Sequence, residues 1–269
     1  MSKPGLLVIN SSPSWGGNEH WAVRVAKGLA DRGHPVRFVW SDEAVGERAR
    51  AAGLAGACVR LGGDLDPRGI RGLRREMVRV GARAVLATRW REYLQGGLAA
   101  RLAGRPRVVV GLGLLYTPPA DLKHRLIFRL ADRVLVNAPE IRDALVRHPS
   151  IPAAKVDVVV NGVDLPRWQP RWLPAARERG LAYRRSLGIA PDAPLLVNIG
   201  NLTQQKDQAN LVAACALLRE RVPGLKALIL GEGELRGRIE AEIRERHLTD
   251  AVILGGFVAD PVPALAAAD

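Results

Sequence analysis

Residues 5–40, GLLVINSSPSWGGNEHWAVRVAKGLADRGHPVRFVW, decide the fold. Residues 5–10 are an apolar run of strand length, and residues 11–17 form a loop with a proline and a glycine pair. Ala22, Val25, Ala26, Leu29 and Ala30 then recur at helical spacing, and Gly33 stands where a left-handed residue closes a helix. A second apolar run follows at 36–40. Strand, helix and strand at these lengths make one crossover unit of a parallel sheet.

The alternation repeats along the chain. Strands are predicted at 57–61, 84–88, 108–112, 133–137 and 156–160, which with the first two make seven and complete a doubly wound α/β domain over residues 1–165. Pro166, Pro170 and Pro174, with Trp168 and Trp172 among them, predict a linker over residues 166–185. The pattern restarts with strands at 195–199, 226–230 and 252–254 and helices at about 207–221 and 234–246. Three parallel strands make a poor sheet with an unpaired edge, so residues 186–269 read as a partial domain in a truncated chain.

At 269 residues, 48% hydrophobic and 25% charged, the chain is globular rather than disordered or fibrous and suits two domains. No apolar run approaches a membrane span, and the start does not read as a signal peptide. Cys58 and Cys215 lie in apolar surroundings and read as reduced core thiols of a cytoplasmic protein. Of the +13 net charge, all but two units fall within residues 1–165. Arg68, Arg71, Arg75 and Arg79 line one helix face opposite Ile70, Leu73, Met77 and Val80. This basic face fits an anionic membrane or acceptor, or is a plain solvated face. The adjoining Asp64-Leu65-Asp66-Pro67 reads as a helix N-cap at Asp66 with proline first.

Gly16 and Gly17 open the first helix, where bare backbone N–H groups suit a phosphate or sugar oxygen; turn geometry alone also accounts for the pair. Gly16-Gly17-Asn18-Glu19, Gly33-His34-Pro35-Val36, Ala131-Asp132-Arg133-Val134, Asn137-Ala138-Pro139-Glu140 and Val160-Asn161-Gly162-Val163-Asp164 follow in order, then Gly200-Asn201-Leu202, Lys206-Asp207, Gly231-Glu232-Gly233 and Leu254-Gly255-Gly256-Phe257. This ordered set resembles the retaining GT-B glycosyltransferases of family 4 over nearly the whole chain.

The resemblance implies two Rossmann-like domains facing a cleft and a sugar passed from a nucleoside diphosphate sugar to a glycan or lipid-linked hydroxyl with retention. It implies no required metal or other cofactor and a role in cell-surface polysaccharide synthesis; with the basic face described above, the expected place is cytoplasmic, as a peripheral protein on the inner face of the plasma membrane. Gly16, Gly17, Asn201, Lys206, Gly231, Glu232, Gly233 and Phe257 fall on donor-binding positions, and Asn161 and Asp164 on the interdomain stretch. Asn201 stands where the family has arginine, leaving Lys206 as the matching cation. No histidine occupies the usual strand ends, here Thr88 and Gly111, and His124 reads as a surface residue. Glu232 and Glu240 have the spacing of the family's glutamate pair one β-α unit too early, so that pair is expected beyond Asp269. No catalytic residue is identified. A sugar-nucleotide epimerase shares the architecture, and a basic membrane- or nucleic-acid-binding module is the alternative outside enzymes. Against nucleic acid, the arginine-rich stretch is not interleaved with aromatics that stack bases.

Overall fold

The computed structural model describes residues 3–13, 15–163 and 173–269, in two units, Met1–Asn161 and Gly162–Asp269. The first unit contains β1 (Gly5–Asn10), α1 (Gly17–Asp31), β2 (Val36–Trp40), α2 (Glu43–Ala51), β3 (Gly56–Cys58), α3 (Pro67–Arg79) and β4 (Ala82–Ala87). It continues with α4 (Trp90–Leu102), β5 (Arg107–Leu112), α5 (Leu122–Leu130), β6 (Arg133–Val136), α6 (Pro139–Leu145) and β7 (Val156–Val158). The strands form one parallel sheet in the order β3-β2-β1-β4-β5-β6-β7. β1 shows why its sequence is an unbroken apolar run. Val8 packs with Ala22, Ala26 and Phe38 on one face, and Leu7 and Ile9 pack with Leu73, Met77 and Val85 on the other. A central parallel strand is buried on both sides.

Helix ends follow the chemistry of their residues. Gly33 takes φ +80° and donates its N–H to the Ala30 carbonyl at 2.8 Å, closing α1. Asp66 caps α3 by accepting from the Arg68 N–H at 3.0 Å, with Pro67 first in the helix. Leu73 and Met77 are buried, and Arg68, Arg71, Arg75 and Arg79 are exposed.

The second unit contains α7 (Pro174–Ser186), β8 (Leu195–Ile199), α8 (Gln208–Leu218), β9 (Lys226–Leu230), α9 (Arg236–Glu245), β10 (Val252–Gly256) and α10 (Val262–Ala267). Its parallel strands run β10-β9-β8. α7 lies across much of the stretch read as linker, because Pro174 is the first helical residue, where a missing N–H costs no hydrogen bond. Arg184 of α7 is 4% exposed and donates to the carbonyls of Ala267 (2.8 Å), Ala190 (3.3 Å), Pro191 (3.2 Å) and Ala193 (2.6 Å) and to the Asp269 carboxylate (2.6 Å). Asp164, Pro166, Trp168, Pro170 and Trp172 lie outside the described residues.

Two sequence expectations are corrected. Cys58 is exposed, because β3 is a three-residue strand at the sheet edge; Cys215 is buried as expected. His124 is 9% exposed rather than a surface residue, stacked on Trp90 at 5.2 Å and bonded through Nδ1 to Asp121 at 2.7 Å. Among the described residues no helix is long and apolar enough to cross a membrane.

Candidate functional site

In the first unit the strand order reverses between β1 and β4, and open parallel sheets bind ligands where their strand ends part in this way. A buried polar network occupies these carboxyl ends. The Asn10 amide donates to Thr88 Oγ1 at 3.0 Å, and the Asn18 amide to the Thr88 carbonyl at 3.3 Å. Glu92, at the start of α4, accepts the N–H groups of Thr88 (2.7 Å), Arg89 (3.0 Å) and Ser11, so one carboxyl ties the loop after β1 to the end of β4. Arg89 donates to Ser12 Oγ at 2.9 Å and to Glu19 at 3.3 Å, while 42% of its side chain meets solvent. Gly16 and Gly17 lie beside this network at the start of α1. A Cβ on Gly17 would meet nothing within 4 Å, so the missing side chain leaves open space rather than permitting a strained turn.

Burial pushes the Glu92 carboxyl up to about 7 from its ordinary 4.5, against the lowering pull of the Thr88, Ser11 and Arg89 N–H groups. The folded state therefore holds this proton more tightly than the unfolded chain. Its stabilising contribution is complete below pH 4.5 and is lost as pH rises to about 7. The expected result is a melting temperature that falls across that window by the equivalent of roughly 3 kcal/mol. Thermal melts of wild type and Glu92→Gln at a series of pH values check it, since an unchanged slope in the variant would assign the dependence to another group.

The second unit gathers most of its predicted residues at the carboxyl edge of its sheet. The loops after its three strands are laced together: Gly200 donates to the Leu230 carbonyl (2.9 Å), Leu202 to Glu232 (3.0 Å), and Gly231 to Gly256 (2.8 Å). Gly231 has φ +139°, and a Cβ there would collide with the Gly200 carbonyl oxygen, as one on Gly233 would with that of Leu202. Glycine is therefore required at both positions by close backbone approach. Lys206 ends a short 3-10 turn, Gln204–Lys206, and its exposed side chain runs 3.6 Å from where a Gly200 Cβ would stand. Asn201 is exposed, and Phe257, just past β10, is 57% exposed and not a core residue. Glu232 is paired with Arg236 at 2.9 Å, and Arg236 also holds Glu240 at 2.9 Å, so these two carboxylates serve a local ion network.

The structure thus brings Asn201, Lys206, Gly231, Glu232, Gly233 and Phe257 to one edge of one sheet, and Gly16 and Gly17 to the crevice of the other unit. Asn161, the last residue of the first unit, is exposed. Sequence reasoning missed Asn10, Glu19, Arg89 and Glu92. The available signal was Glu92 three residues after Arg89 at a helix start, the spacing at which a carboxylate reaches back to the capping N–H. Among the described residues no group of three His, Cys, Asp or Glu is placed to hold a metal ion.

Two units, each built on a parallel sheet flanked by helices, define a Rossmann-like α/β protein. The family model described as Glycosyltransferase Family 4 matches residues 15–167, and that described as Glycosyl transferases group 1 matches residues 181–269. The chain belongs to glycosyltransferase family 4, and its fold is of the GT-B class. The D-inositol 3-phosphate glycosyltransferase of Actinosynnema mirum is 42% identical over 100 residues, 37% of this chain and 22% of that protein. The N-acetylgalactosamine-N,N'-diacetylbacillosaminyl-diphospho-undecaprenol 4-alpha-N-acetylgalactosaminyltransferase of Campylobacter jejuni is 29% identical over 136 residues, 51% of this chain and 33% of that protein. The chain therefore spans a third or less of the length of these two relatives. Anabaena Alr3699/HepE, solved in complex with UDP, superposes with a TM-score of 0.80 at 20% identity over 98% of this chain and 72% of that one.

Proposed function

We propose that the protein transfers a sugar from a nucleoside diphosphate sugar to a hydroxyl of a glycan or lipid-linked acceptor. The observation that carries this reading is the laced glycine edge of the second unit with Lys206 beside it. The lacing bonds take up the Gly200, Leu202 and Gly231 N–H groups and so fix the loops in place, and the Lys206 ammonium beside them suits a diphosphate, whose charge grows as the bond to the sugar breaks. Complexes of Anabaena HepE with UDP and with UDP-glucose support a uridine nucleotide as the first probe. The C. jejuni relative, named for a diphospho-undecaprenol acceptor, supports a lipid-linked one. The acceptor would enter at the β1/β4 crevice beside Arg89.

Within this reading, transfer proceeds with retention and without a metal cofactor, in cell-surface polysaccharide synthesis by a peripheral protein on the inner face of the plasma membrane. The exposed arginines of α3 would supply long-range attraction to anionic lipid. The test is product analysis with one UDP-sugar, with and without acceptor. Sugar appearing on the acceptor supports transfer; an epimerised donor formed without acceptor would replace it. Lys206→Ala is expected to weaken UDP binding by about 10- to 100-fold in a calorimetric titration, the loss of one charge-assisted contact. Its melting curve should not move, because the side chain is exposed.

A further inference from the structure

Extending the membrane-side reading above from charge to a docking face, we propose that α5, with the loops preceding α3 and α5, seats on an anionic phospholipid bilayer. Leu122, Arg125, Leu126 and Arg129 fall at i, i+3, i+4 and i+7, which is one stripe of a helix, and all four are exposed, Leu122 to 80%. The opposite face of α5 buries His124, Ile127 and Phe128 in the core, so the outward leucines have no packing duty within the unit.

Three further exposed leucines sit in the loops that precede α5 and α3. The loop after β5 carries Leu114 (57% exposed), Leu115 (70%) and Tyr116. Tyr116 stacks on Trp90 at 5.2 Å, and Trp90 stacks on His124 at 5.2 Å, which holds that loop against the first turn of α5. Lys123 pairs with Asp64 at 2.6 Å, which ties the same turn to the loop ahead of α3 and brings up Leu65, 66% exposed. Arg60 and Arg68 flank Leu65 around an open depression that also includes Asp66.

The charge of this face is net positive. Asp64 is offset by Lys123, and the two remaining carboxylates, Asp66 and Asp121, are held by the N–H groups of Gly62, Arg68 and His124 and are outnumbered by arginines. Arg60, Arg68, Arg125 and Arg129 stand exposed around the leucines. A leucine knob in a cationic ring matches a bilayer of anionic headgroups over acyl chains. A second copy of the chain fits poorly, because a two-fold contact here would set arginine against arginine. α3 supplies charge but exposes only Val78 among its large apolar side chains, so penetration belongs to α5 and its neighbouring loops.

The experiment is flotation of the full chain with phosphatidylcholine vesicles and with phosphatidylcholine–phosphatidylglycerol vesicles, at low and high salt. Flotation with the anionic vesicles, reduced by salt, is expected. Arg125→Ser with Arg129→Ser should lower the partition about 30-fold, and Leu65→Ser with Leu122→Ser about tenfold per leucine. These side chains are exposed, and melting curves check that the variants stay folded. No flotation, equal flotation with neutral vesicles, or leucine variants that float like wild type would each overturn the proposal. So would sedimentation showing that the leucine pair controls self-association without vesicle binding. UDP binding, titrated in parallel, separates the two readings. Flotation without UDP binding removes the donor reading alone, and UDP binding without flotation removes the docking face alone.

Discussion

Replacing Gly231 with alanine is expected to cost the Gly162–Asp269 unit about 3 kcal/mol or more and to abolish UDP binding. At φ +139° an alanine is strained whatever the space around it, and here the added Cβ would also collide with the Gly200 carbonyl oxygen. Neither backbone has freedom to yield. Gly200 is bonded to Leu230 and Gly231 to Gly256, so a shift at one strand end disturbs all three. Gly237→Ala is the matched control. It sits on α9 with nothing within 4 Å of its new Cβ and should stabilise the unit by up to about 1 kcal/mol. Thermal melts and UDP titrations of both variants decide the matter; a Gly231→Ala protein that melts and binds like wild type would remove the close approach from the account.

Arg184→Met should lower the stability of the same unit by about 3 kcal/mol, on the order of 10–20 °C in melting temperature for a domain of this size. The methionine fills the space of the aliphatic stem but leaves the Ala267, Ala190, Pro191 and Ala193 carbonyls without their shared donor. Most of the cost lies at the Ala267 carbonyl, whose bond to Arg184 is buried, because Ala190 and Pro191 are exposed residues and the Asp269 side chain is 57% exposed, so water can replace the donor there. Arg184→Lys should recover only part of the loss, since one ammonium cannot span five acceptors spread around a planar guanidinium. Denaturant titration of the three proteins measures this, and a lysine variant as stable as wild type would reduce the knot to a simple charge contact.

Strands and caps were legible where local chemistry determines them. β1, β2, β8 and β9 begin and end where the apolar runs do, and Gly33 and the Asp66-Pro67 step act as a stop and a start. Elements whose character depends on neighbours were not. Three prolines suggested a linker, yet Pro174 opens a helix; an apolar setting suggested a buried Cys58, yet its strand is at an edge. The donor-side edge was readable because its glycines and Lys206 each follow a strand. The crevice network was not, because Asn10 and Thr88 meet across 78 positions and nothing local marks either as a partner. Glu92 likewise gains its shifted titration from burial, which no residue beside it in the sequence reveals.

The placement of β1 at the middle of the first sheet also bears on synthesis. β1 pairs with β2 along one side and with β4 along the other, Leu6 facing both Val36 and Ala84. A ribosome delivers β2 soon after β1, but β4 is complete only at Ala87. At about 5–20 residues per second, the second side of β1 waits roughly 4–15 s for its partner. During that interval GLLVIN is an apolar strand edge open to other nascent chains. The crevice that presents Arg89 is the seam where the two half-sheets join, so its polar network forms late, and slow codons ahead of β4 would be expected to lower the yield of folded protein without changing a single native contact.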